Sequence, residues 1–291
     1  MIELSSLLPD RVRLCCRGVR ARIASLGLMP VYPVGLSDEE LHASESISII
    51  VAVHDAPLCT KRCLNSLQAF SGKAEVIVVD DGSKLESTRI VLDEVCSRNR
   101  WKLIRNSVAT GHSRASETGA SASNKAIICL LNSDTVVTQR SWLGIIKAFA
   151  SSDRVVVVGP STSLTPTPQR VVRAGYCRHY WTDGQICGFA ETYVNEHLND
   201  PVIDLPYAGG FAFFIRRSTW EEFQGFDKCL PDYGNEKELC QRITQVGLRV
   251  VWTRGSYIHH LGSESYQKTI GRLAIIERSE LANAYMENKQ K

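Results

Sequence analysis

Apolar residues along this chain fall into short dense runs, separated by segments with helical spacing. Ser48-Ile-Ile-Val-Ala-Val53 is β-rich and apolar, the pattern of a strand buried on both faces. Residues 57–70 follow with Leu58, Cys63, Leu64, Leu67 and Phe70 as the apolar positions of a predicted helix. Glu75-Val-Ile-Val-Val79 reads as a second strand, punctuated by Asp80-Asp81-Gly82-Ser83 before a helix at about 84–99. A third strand at 101–105 runs into a Gly/Ser/Ala-rich stretch at 107–123, and a fourth at 126–131 ends on Asn132-Ser133-Asp134. Residues 160–203 are irregular, rich in proline and aromatics, and read as an insertion or a lid over a site. The run at 207–216 reads as a strand entered through Gly209 and Gly210, with Ser218 capping a short helix. A further helix spans about 235–246 and stops at Gly247. A last strand at 249–253 precedes His259-His260-Leu-Gly-Ser-Glu-Ser265.

Strand and helix alternate throughout, which predicts an α/β fold with a mainly parallel sheet flanked by helices. Ligands in such sheets bind outside the carboxyl ends of the strands. Asp55, Asp80, Asp81, Asn132, Ser133 and Asp134 all directly follow strands. They are therefore expected along one rim.

Composition narrows the class. The 291 residues, 44% hydrophobic and 22% charged, are enough for one large core. A formal net charge of +3 is too small to argue for nucleic acid. No run approaches the ~20 apolar residues of a membrane span, and the expected location is cytoplasmic. The ten cysteines contain no CxxC pair, which argues against a zinc site and for scattered reduced thiols. Residues 1–45 stand apart: the stretch from Arg11 to Ile23 carries five arginines and no acid. As a helix it is either a solvated edge or a basic surface for peripheral contact with the inner face of a membrane through residues 11–28.

The ordered motifs SIIVAVHD, VIVVDDGS, LLNSD, GGFAFFIRRSTWEEFQGFD, GNEKELCQR and HHLGSES resemble the inverting family-2 glycosyltransferases of GT-A (Rossmann-like) fold. They are most similar to the rhamnosyltransferase-like branch, which builds bacterial surface polysaccharides. The resemblance covers roughly 46–265 and implies a single catalytic domain over 46–270. The short N-terminal extension, 1–45, precedes it, and a helical tail, 271–291, follows. It implies transfer of a sugar from a nucleoside-diphosphate-sugar donor to a saccharide or lipid-linked saccharide acceptor, with a divalent cation, Mg²⁺ or Mn²⁺, as cofactor.

By the same resemblance Asp134 stands at the metal carboxylate of the DXD motif, whose first acid is Asn132 here; Ser133 lies between them. Asp80 corresponds to the nucleobase-binding aspartate and Asp81 to the residue that orders its loop. Val53 and Asp55 belong to the first nucleotide-contacting loop, with His54 between them. Gly209 and Gly210 correspond to a close backbone approach to sugar. Glu236 falls where the catalytic aspartate belongs, keeping the carboxylate and adding a methylene. His260 is the second metal-side residue, with His259 as the alternative. His54, Glu117, Asn235 and Glu236 are departures expected around the cleft. They leave a second reading open: a module that binds a nucleotide sugar or a partner in the same cleft without transfer. A nucleotidyltransferase fits less well, since HDAPL after the first strand lacks a glycine-rich basic loop.

Overall fold

A computed structural model describes residues 35–172, 181–230, 232–262 and 272–289. The basic segment 11–28 and the residues Ser263, Glu264 and Ser265 lie outside them.

Among the described residues, the strands β1 (Ile47–Val53), β2 (Glu75–Asp80), β3 (Lys102–Arg105), β4 (Ile127–Asn132), β6 (Val155–Ser161), β7 (Ile203–Asp204), β8 (Ala212–Arg216) and β9 (Arg249–Tyr257) make one sheet. Its order is β3-β2-β1-β4-β8-β6-β9-β7. β1 pairs in parallel with β2 and β4, β2 with β3, and β6 with β9. β8 runs antiparallel to both neighbours, and β7 runs antiparallel to β9. The remaining strands, β5 (Thr135–Val136) and β10 (His259–His260), form a separate antiparallel ribbon.

Strand alternation divides the core between the two faces of the sheet. Ile47, Ile49, Val51 and Val53 of β1 face one cluster with α2 (Pro57–Phe70), α3 (Glu86–Asn99) and α5 (Leu143–Ala150). Ile50 and Ala52 face the other, with α4 (His112–Ser121), α7 (Arg217–Glu222) and α8 (Asn235–Gln245). α2 begins where Pro57 supplies its fixed φ at the first turn. α3 closes on Arg100 in the left-handed conformation. Two helices complete the set, α6 (Asp183–His197) and α9 (Arg272–Lys289). None of the described helices is long and apolar enough to cross a membrane.

The sequence expectations for α2 and for β1 to β4 agree with the structure to within a residue or two. Those for α3 and α8 agree as closely, and the others need correction. The small-residue stretch at 107–123 contains α4, whose Gly119 packs so closely that a Cβ there would lie 2.3 Å from Ile50 Cγ2. The irregular stretch at 160–203 contains α6, started by a Thr182–Gln185 capping box. Ser218 lies inside α7 rather than at its cap, which is Arg216. In the segment before β1, helix α1 (Asp38–Ser44) is tied to the domain. Its fully buried Glu40 accepts hydrogen bonds from Trp142 N and Leu143 N, both at 2.9 Å, at the start of α5.

Candidate active site

Because β8 runs against its neighbours, its entry at Gly209 and Gly210 lies on the rim where β1, β4 and β6 end. Those strand ends surround a cavity of about 890 Å³. The sequence-predicted Val53, Asp81, Asn132, Ser133, Asp134, Gly209, Gly210, Glu236 and His260 all line it.

Asp55 and Asp80 do not line it; both are used within the wall. Asp55 and Ala56 each hold φ 54°, and Asp55 Oδ1 accepts from Lys84 N at 2.9 Å and Leu85 N at 2.8 Å. That bond ties the turn after β1 to the start of α3. Asp80 accepts from Ser83 N at 2.9 Å and faces Arg105 Nε at 3.4 Å. Its neighbour Asp81 gathers the loop between β3 and α4. It accepts from Thr110 N, Thr110 Oγ1, Gly111 N and Asn106 Nδ2 at 2.8–3.0 Å. His54 Nδ1 donates to Asp81 O at 2.8 Å, which joins the loops after β1 and β2.

The ribbon of β5 and β10 brings a carboxylate and an imidazole together. His260 pairs with Thr135, and Leu261 N donates to Asp134 O at 2.9 Å. His260 Nδ1 donates to Leu164 O at 2.7 Å. This fixes the ring so that Nε2 faces Asp134 Oδ1 at 3.4 Å. Nε2 is buried without a well-formed hydrogen bond among the described residues. A ring held through one nitrogen, with the other beside a carboxylate, is a suitable donor pair for a divalent cation. Burial, the largest influence, opposes the imidazolium, but the charge and close approach of Asp134 together with the Leu164 carbonyl outweigh it and raise the pKa of the ring. Among the described residues no group of three or more His, Cys, Asp or Glu is arranged for a metal. A cation here would take its remaining ligands from water or a bound anion. His259 faces elsewhere: it is buried, hydrogen-bonded to Tyr257 Oη at 2.9 Å and stacked on Trp181.

Glu236 sits in the first turn of α8, which starts after Gly234 at φ 79°. Its carboxylate lies against Gly210. Burial pushes its pKa up to about 7, with its own backbone N–H opposing the shift. Glu238 has a different role: it is buried and accepts a fork from Arg242 at 2.8–3.0 Å. Asn235 is buried too and donates to Ser113 Oγ at 2.8 Å. Of the four departures expected around the cleft, His54 and Glu236 line the cavity, while Glu117 and Asn235 do not.

The sequence reading passed over several lining residues. His112 opens α4, beyond the loop that follows β3, so a rule confined to residues directly after strands did not reach it. Burial depresses the pKa of its imidazole. Tyr233, Arg278 and Tyr285 form the outer wall. Arg278 pairs with Asp232, and Tyr285 Oη donates to Asp227 Oδ2 at 3.0 Å. Nothing in the order of the motifs indicated that α9 would reach the cavity.

The family model described as glycosyl transferase family 2 matches residues 48–221, more than half of the chain. Among solved structures, the chain is similar to the mannosyltransferase PcManGT from Pyrobaculum calidifontis, described in complex with GDP-Man and Mn²⁺. The identity is 13% and the TM-score 0.54, over 85% of this chain and 64% of that one. It is also similar to S. aureus TarS, with 14% identity and a TM-score of 0.49, over 74% of this chain and 36% of that one. The chain thus spans less than two thirds of either protein. At such identities the likeness to PcManGT concerns the fold alone. No curated protein sequence matches the chain.

Proposed function

The chain belongs to glycosyl transferase family 2 and is a glycosyltransferase of GT-A fold, and on that premise we propose that it transfers a sugar with inversion, using Glu236 as the base. The donor is a nucleoside-diphosphate sugar, and the acceptor hydroxyl belongs to a saccharide, free or lipid-linked. The observation that carries this reading is the Glu236 carboxylate, which lies in the cavity with a pKa pushed up to about 7. A base with that pKa takes up and releases protons near neutral pH.

Glu236 would accept the proton of the acceptor hydroxyl as its oxygen attacks the anomeric carbon. The bond from that carbon to the diphosphate oxygen breaks, and its electron pair leaves with the nucleoside diphosphate. Asp134 and His260 would hold a divalent cation, which stabilises the charge on the departing diphosphate when bound. The neighbour PcManGT is described with Mn²⁺, and charge balance supports the same requirement here. Asp81, Asp134, Asp232 and Glu236 line the cavity, while the guanidinium of Arg278 is already paired with Asp232 and the His260 imidazole with Asp134. A diphosphate entering among those carboxylates needs added positive charge.

Asp81 would support the nucleotide indirectly, by holding residues 109–111 at the wall. Asp55 and Asp80 would act one step further back, through the loops they clamp. In this proposal Val53, Asn132 and Ser133 contact the nucleotide, and Gly209 and Gly210 admit the sugar.

The test is a panel of nucleoside-diphosphate sugars with Mn²⁺ or Mg²⁺, reading nucleoside diphosphate release and the product anomer by NMR. Wild-type activity lost in Glu236→Gln and in Asp134→Ala supports the mechanism. Transfer that survives both substitutions rejects it. A wild type that binds nucleotide but transfers nothing favours a binding module on the same fold.

A further inference from the structure

We infer that residues 163–169 are a positioning element that sets the cation end of the cavity relative to the base end, with Gln169 as the positioning residue on the base side. The inference rests on the transfer reading above. At one end of this segment, Ser163 Oγ donates to His260 O at 2.8 Å and accepts from His260 N at 3.1 Å. The next carbonyl, Leu164 O, accepts from His260 Nδ1 at 2.7 Å and so fixes which nitrogen faces Asp134.

At the other end stands Gln169, fully buried with both its amide oxygen and its amide nitrogen hydrogen-bonded. Its Oε1 accepts from Gly209 N at 2.8 Å and from Thr167 Oγ1 at 2.9 Å, and its Nε2 donates to Pro160 O at 2.8 Å. Gly159 makes room for that amide, since a Cβ there would lie 2.3 Å from Gln169 Nε2. Gly209 in turn leads into Gly210, against which the Glu236 carboxylate rests.

Between the two ends, Thr165, Pro166 and Thr167 line the cavity itself. Pro166 and Pro168 each fix φ, which makes the span a stiff spacer. A buried amide that served only the core would join elements packed on one another. This segment instead lines the cavity, and its bonds reach His260 at one end and both Pro160 and Gly209, the residue preceding Gly210, at the other. A buried amide bonded through both its oxygen and its nitrogen holds its neighbours to one geometry.

The experiment separates the two ends. Gln169→Met keeps the length of the side chain and removes the bonds to Gly209 and Pro160. It is expected to lower kcat about tenfold or more, because transfer is sensitive to small misplacements. The Kd of Mn²⁺-loaded UDP, GDP or dTDP, whichever binds, should stay within about twofold of wild type, since nucleotide contacts are untouched. Ser163→Ala tests the other end: the Mn²⁺ concentration giving half the nucleotide-dependent thermal shift should rise about fivefold, and an unchanged concentration overturns the cation side of the inference.

Should Gln169→Met fail to fold, Thr167→Val removes one bond to Gln169 while keeping its shape. It is expected to lower kcat about threefold at unchanged nucleotide affinity. An active wild type whose Gln169 and Thr167 variants match it in kcat overturns this inference alone. A joint fall in kcat, nucleotide affinity and Tm overturns it as well, because that is the signature of a general structural role. A wild type that binds nucleotide and transfers nothing overturns the transfer reading and this inference with it.

Discussion

The carboxylate of Glu236 occupies the space that a side chain on Gly210 would take. A Cβ built on Gly210 would stand 2.1 Å from Glu236 Oε1 and 2.7 Å from Cδ. The backbone of Gly210 is not left-handed, so the need for glycine there is steric. It comes from one neighbouring side chain.

Gly210→Ala is therefore expected to displace Glu236 and reduce kcat about a hundredfold, since a misplacement of about 1 Å can cost that much. Nucleotide affinity should change little. Combining it with Glu236→Asp, which withdraws the carboxylate by one methylene, should recover part of the loss. A double variant no better than Gly210→Ala alone would show that the two residues do not act through this contact.

The raised pKa of Glu236 also predicts a pH profile. The base works when deprotonated, so kcat/KM should rise with pH and level off above about 7. A profile flat from pH 5 to 8 would remove Glu236 from the proton transfer.

Stability should run the opposite way. Glu40 and Glu236 are both pushed by burial from 4.5 to about 7, so the folded state holds their protons more tightly than the unfolded chain. Their contribution is fully present below pH 4.5 and is lost as pH rises through about 7. For the fully buried Glu40 it amounts to roughly 3 kcal/mol. Urea midpoints should fall over this range, and Glu40→Gln should flatten the slope. An unchanged slope in that variant would count against the assignment to Glu40.

Cation binding should depend on both members of the Asp134–His260 pair. In the wild type, Mn²⁺ with a nucleoside diphosphate should raise Tm by mass action, and EDTA should abolish the increment. Asp134→Asn and His260→Ala should each weaken Mn²⁺ binding about tenfold or more. Isothermal titration showing unaltered Mn²⁺ affinity in both variants would eliminate the pair as ligands.

Asp81→Asn tests the wall. The carboxylate accepts bonds from Thr110, Gly111 and Asn106, and an amide replaces one accepting oxygen with a donor facing other donors. A loss of about 1–3 kcal/mol in stability is expected. Hydrogen exchange should quicken at residues 106–111 before the rest of the domain. Uniform exchange across the domain would show that Asp81 does not order this loop specifically.

Much of this architecture was legible in the chain. The apolar runs of β1, β2 and β4 are buried on both faces of a parallel sheet, and such strands cannot alternate with polar residues. Strand-end polarity then indicated the rim: Asp81, Asn132, Ser133 and Asp134 lie on the cavity there, whereas Asp55 and Asp80 are used within its wall. α4 escaped because its glycine and serines weaken the helix signal that its alanines carry, whereas packing of Gly119 against Ile50 favours a small-residue helix.

Sequence by itself determined the alternation of strands and helices, and with it the rim on which polar loops collect. Both follow from local periodicity and from the geometry of parallel strands. Tertiary structure decided how those loops share the work. Asp80 and Asp81 are adjacent and chemically identical, yet only Asp81 lines the cavity. His259 and His260 divide the same way, one facing Trp181 and the other Asp134. Successive residues of an extended chain point to opposite sides, and only the packed fold decides which side is core and which is cavity. The pairing of residues distant in sequence, Gly210 with Glu236 and Arg278 with Asp232, is likewise set by the assembled sheet and helices.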